Sequence, residues 1–113
     1  MKDMIQAHPK LRGVFGINDD SALGALSVIE AAKRTDIVIV GFDATTEAQQ
    51  AVRRGSALKA DIAQHPVEIG KTAIDVVARH LGGESVPPIV SVPVSVVDAT
   101  SLAAAPSATG SSH

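Results

Sequence analysis

At 113 residues, 45% of them apolar and 19% charged, the chain suffices for one small domain with a core and not for two. A formal charge of −2, with Lys and Arg scattered, gives no electrostatic grip on phosphate, and nucleic acid is excluded as a partner on that ground. The absence of cysteine excludes disulfides, thiolate metal sites and cysteine nucleophiles, without fixing a compartment.

No apolar run reaches the roughly 18 residues that span a bilayer, and residues 1–10 show no secretion-signal pattern. No membrane insertion is expected, and the chain reads as soluble, whether mature, shortened or cytosolic. Its two aromatics, Phe15 and Phe42, leave an aliphatic core and few flat surfaces on which a base or sugar ring stacks.

The spacing of Met1, Met4 and Ile5 predicts a helix over Met1–His8, stopped by Pro9. Gly13–Ile17 reads as a short buried strand. Asn18-Asp19-Asp20 offers acceptors to the start of a helix whose apolar stripe, Leu23, Leu26, Ile29 and Ala32, runs from Ser21 to Lys33. Ile37–Phe42 is continuous and β-branched, as a parallel strand covered on both faces requires. Thr46 and Gln49 stand at capping-box spacing, opening a short helix to about Arg54, with Gly55 as its left-handed stop.

Leu58–Ala63 alternates, apolar at Leu58, Ala60 and Ile62 against Lys59 and Asp61, which predicts an edge strand or one solvated face. Pro66 suits the first position of a helix ending at Gly82-Gly83, with Ile69, Ala73, Ile74, Val77 and Leu81 on its buried side. A final strand over Val90–Val97 contains Pro93, the mark of an edge or a bulge. Residues 1–102 form the domain; residues 103–113, rich in Ala, Ser, Pro, Thr and Gly, are expected to be a disordered tail. The fold class is therefore α/β, a small parallel sheet with flanking helices in a flavodoxin-like order. Three helices are few to cover both faces of such a sheet.

Ligands of open parallel sheets bind beyond the carboxyl ends of the strands. Each such end carries one polar residue, Asn18, Asp43 or Gln64, followed by a helix start. An amide donates and accepts, and a carboxylate accepts from two hydroxyls, so the trio suits a neutral polyol. The same residues serve equally well as turn caps. His8, His65, His80 and His113 lack the helical pairing of a metal site. Asp19, Asp20 and Asp43 fit poorly the Mg²⁺ pocket of receiver domains, and no phosphate loop or nucleophile elbow is present. Neither a cofactor nor an enzymatic activity is expected.

The stretch Gly13-Val14-Phe15-Gly16-Ile17-Asn18-Asp19-Asp20-Ser21-Ala22-Leu23-Gly24-Ala25-Leu26 resembles the strand-to-helix signature of periplasmic sugar-binding proteins of the ribose-binding type. Val40-Gly41-Phe42-Asp43-Ala44-Thr45 continues it, and so does Ala51-Val52-Arg53-Arg54-Gly55 leading to Ala60-Asp61-Ile62-Ala63-Gln64-His65-Pro66. Gln64 before the last helix favours the transport binders over their repressor cousins.

The resemblance, over roughly residues 1 to 100, implies part of a C-terminal lobe. It implies that Asn18, Asp43 and Gln64 are ligand residues for a pentose or hexose, that the location is periplasmic, and that an ABC permease is the partner. It implies also that Phe15 is core packing, that Phe42 points into the sheet, and that the helix from Pro66 to Leu81 packs on a first lobe outside this chain. A bare edge at Gly13–Ile17 and that helix's unmatched stripe predict a homodimer. Two readings follow. One is a sugar-binding module of an ABC-type transport system that binds weakly or not at all on its own; the other is a non-catalytic, self-associating α/β unit without ligand.

Overall fold

The computed structural model describes residues 1–104. In chain order the elements are α1 (Lys2–Ala7), β1 (Gly13–Phe15), α2 (Asp19–Ala31), β2 (Val38–Phe42), α3 (Thr46–Arg53), β3 (Leu58–Ala63), α4 (Pro66–Leu81), β4 (Ser95–Asp98) and α5 (Ala99–Ala104). The sheet order is β1-β2-β3-β4. The first three strands are parallel, as expected, so the ends of β1, β2 and β3 share one rim. The last strand runs antiparallel to β3 and makes the sheet mixed.

The strand expected over Val90–Val97 is thus shorter and later. Pro93 lies outside the ladder, where its missing N–H costs no hydrogen bond. Part of the tail expected over 103–113 is helical, since α5 reaches Ala104; the rest of that expectation lies outside the described residues. Among the described residues no helix is long and apolar enough to cross a membrane.

One face of the sheet holds the core. Ala22, Leu26 and Ile29 of α2 and Ala48, Ala51 and Val52 of α3 pack on Ile39 and Leu58. Ile29, Ile37, Ile39 and Leu58 are fully buried, each stabilising by about 1.5–3 kcal/mol relative to exposure. Gly16 lets α2 approach β1, because a Cβ there would lie 2.7 Å from the Ala22 Cβ. The opposite face is open. Phe15, paired with Val40, is 64% exposed, which corrects the core role implied for it; Phe42, on the same face, is half-buried.

The alternation in β3 misleads, and the reason is its pairing. Ile39 pairs with Leu58 but Val40 pairs with Ala60, so β3 spends an extra residue at that step. Such a bulge re-phases the side chains. Leu58 faces Ile39 and Asp61 faces Gly41, and both therefore lie on the helix-covered face. The strand is an inner one, between β2 and β4, and Asp61 is fully buried while Lys59 stays exposed. The stripe of α4 is not buried either: Ile69, Ala73, Ile74, Val77 and Leu81 are all exposed.

Candidate ligand-binding rim

Asn18 follows β1 and caps α2, its Oδ1 accepting from the Ser21 N–H at 2.9 Å. The carbonyl half of the amide is spent locally. Its NH₂ has no hydrogen-bond partner among the described residues, and the side chain is exposed. On the neighbouring strand Asp43 directly follows β2, and on the next Gln64 directly follows β3. The Gln64 Nε2 donates to Asp43 Oδ1 at 2.8 Å. Asp43 is exposed and Gln64 half-buried, so the pair presents carboxylate lone pairs, a free amide carbonyl and one more N–H to solvent. The parallel order thus brings Asp43 and Gln64 into contact and sets Asn18 on the same rim.

The turn carrying Asp43 is strained. Asp43 has φ 127° and Ala44 has φ 58°, two successive residues in a region that side chains rarely adopt. Each costs of order 1–3 kcal/mol and persists only where surrounding bonds over-determine it. Those bonds are present. The Asp43 N–H donates to the Ile62 carbonyl at 2.8 Å, and the Ala44 N–H donates to Asp61 Oδ1 at 2.9 Å. The Thr45 N–H donates to Asp19 Oδ2 at 2.6 Å, and Gln49 Nε2 donates to the Ala44 carbonyl at 2.8 Å. The cap of α3 is Thr45 rather than Thr46, with its hydroxyl accepting from the Ala48 N–H at 3.3 Å. Gln49 is consequently no capping-box partner: it is buried and braces the turn.

Sequence reasoning missed Asp61 as a member of this site and treated Asp19 as a simple cap. Both carboxyls are buried, at 1% and 0% exposure. Burial pushes Asp61 up to about 7, helped by the adjacent Asp19 carboxyl and opposed by the Ala44 and Ile62 N–H groups. A signal was present in part, since Asp19 directly follows Asn18 and Asp61 closely precedes Gln64, but only the bulge turns Asp61 inward. Of the trio weighed for Mg²⁺, Asp19 is engaged in this buried network while Asp20 and Asp43 are exposed. Among the described residues no group of three or more His, Asp or Glu has metal-holding geometry.

A family model described as periplasmic binding protein domain matches residues 1–85. The chain is 42% identical over 86 residues to the ribose import binding protein RbsB of Salmonella typhimurium, covering 76% of this chain and 29% of that protein. To the ribose import binding protein RbsB of Bacillus subtilis it is 36% identical over 94 residues, covering 83% of this chain and 30% of that one. Among solved structures, an ABC transporter solute binding protein from Mycobacterium smegmatis with bound glycerol superimposes with a TM-score of 0.79 at 39% identity. That match covers 91% of this chain and 36% of the other. The chain spans about 30% of the length of these curated relatives.

Proposed function

The chain belongs to the periplasmic binding protein domain family, and from that premise we propose that it supplies one wall of a sugar-binding cleft. Asn18, Asp43 and Gln64 hydrogen-bond the hydroxyls of a pentose or hexose. The observation that carries this reading is the Asp43–Gln64 bond at the ends of two adjacent parallel strands, with Asn18 on the same rim. Relatives named for ribose import, and one solved with glycerol, support a polyol as the ligand class. Delivery of sugar to an ABC permease, and a periplasmic location, belong to the same proposal.

Alone, this wall binds weakly. Three hydroxyl contacts open to water contribute about 0.5–1.5 kcal/mol each, against about −4.1 kcal/mol for a millimolar constant. Calorimetric titration with ribose, galactose and inositol tests the reading. Heat is expected for at least one sugar, and Asp43→Ala is expected to weaken it at least about tenfold, since a bond to a charged acceptor contributes about 1.5–3 kcal/mol. No heat from the intact chain with any of the three, at sugar concentrations far above millimolar, sinks the proposal.

One observation favours the second reading, a self-associating unit without ligand: Asn18 Oδ1 already serves as a helix cap. In that case added sugar leaves the melting temperature unchanged. Self-association is part of both readings. β1 is an edge strand, and α4 exposes Ile74, Val77 and Leu81 at 72%, 53% and 80%. A second copy covering these surfaces gives a homodimer. Light scattering at micromolar concentration is expected to return twice the 11.5 kDa chain mass; a monomer mass rules the dimer out.

A further inference from the structure

The buried network beneath the rim contains a feature that sugar contact does not explain. Asp19 Oδ1 and Asp61 Oδ2 are buried and have no hydrogen-bond donor among the described residues. They converge on one place. A Cβ built on Gly41 would lie 2.7 Å from each of them, so the absence of a side chain at Gly41 is what lets the two oxygens come together. The other oxygen of each carboxyl is committed to the turn after Asp43, Asp19 Oδ2 to Thr45 and Asp61 Oδ1 to Ala44.

Two buried carboxylates that lack a cation repel unless one proton lies between them. The titratable groups carried by the surrounding elements include Asp20 on α2, Asp43 after β2, Glu47 on α3, Lys59 on β3 and Asp98 on β4. None of them bonds to either carboxyl among the described residues. Gln49, the closest polar side chain on α3, is neutral and bonded to Ala44.

We propose that Asp19 and Asp61 share one proton across Gly41, and that this acid pair holds the Asp43–Thr45 turn in its binding conformation and releases it when the proton leaves. With the proton in place, one carboxyl donates to the other and each still accepts from the turn. Without it, two negative charges face each other in a buried space, and the pair parts by loosening its hold on Ala44 and Thr45. The left-handed turn then loses the bonds that over-determine it, and Asp43 is no longer held beside Gln64. Burial that raises Asp61 toward neutral pH agrees with this arrangement. Both residues act through the backbone of the turn and are positioning residues. That their work serves a sugar rests on the reading above.

Carbon-detected NMR of the intact chain between pH 5.5 and 8.5 tests the pair without any ligand. The Asp61 carboxyl and the Ala44 and Thr45 amides are expected to move together with one midpoint near neutrality. Asp61→Asn keeps the acceptor for Ala44 and supplies an N–H to Asp19, and in it the two amides are expected to stay still over the same range. Amides that do not move in the unaltered chain, or that move identically in Asp61→Asn, overturn the proposal; the unaltered chain decides alone if the variant does not fold. D-ribose supplies the second arm. Its affinity for the unaltered chain is expected to fall about tenfold from pH 6 to 8.5 and to be independent of pH in Asp61→Asn. Equal affinity at both pH values overturns the release of the turn. A coupled amide titration with no binding of ribose, galactose or inositol at any pH leaves the shared proton standing and overturns the sugar-rim reading.

Discussion

Asp61 and Asp36 pull the stability of the chain in opposite directions as pH changes. Asp61 is raised from 3.8 to about 7, chiefly by burial. The folded state therefore holds a proton that the unfolded state has lost, and stability falls as pH rises between those two values. Its contribution is complete below about 3.8 and gone above about 7. Asp36 is lowered to about 2, chiefly by the Arg34 guanidinium, which donates to both of its oxygens. Its contribution is complete above 3.8 and lost as pH falls toward 2. The two together place greatest stability in mildly acid solution. Urea unfolding is expected to give a higher midpoint at pH 5 than at pH 8, and Asp61→Asn to flatten that difference by removing the group that titrates. A midpoint equal at both pH values in the unaltered chain contradicts the protonated state assigned to Asp61.

At the scale of the elements, the fold was legible wherever local signals agreed with one another. Pro9, Gly55, Pro66 and Gly82 each end or begin a helix where the sequence predicts it, and β3 has the predicted bounds. These are backbone effects, carried by one residue and indifferent to its surroundings. The misreadings share a different cause. The alternation around Asp61 predicts an edge strand or a solvated face because period-two reasoning assumes an unbroken register, and the register of β3 is shifted by its partner strand. Thr45 displaced Thr46 as the cap because the left-handed pair at Asp43 and Ala44 starts the helix one residue sooner. The same holds for the candidate site: position alone nominates Asn18, Asp43 and Gln64, whereas the residues that brace them depend on a pairing no single segment encodes. The antiparallel turn of β4 is likewise a property of what lies beside it.

On the scale of the whole molecule, the chain divides into a packed part and an unpacked one. β2 and β3 lie inside the sheet, and the residues that bury them come from α2 and α3. By contrast α4 has 16 residues and buries none of them. Most of a helix's stability in a protein comes from packing its amphipathic face, which α4 does not do among the described residues. Its local opening should therefore be much cheaper than global unfolding. Hydrogen exchange in dilute solution is expected to be fast across residues 66–81 and slow for Ile39 and Val40, which open only with the core. Raising the protein concentration is expected to slow α4 without altering the β2 amides, since a second copy protects only the surface it covers. Amides of α4 as slow as those of β2 at the lowest concentration would mean that its apolar stripe is buried within the single chain, and the case for self-association through this helix would lose its physical basis.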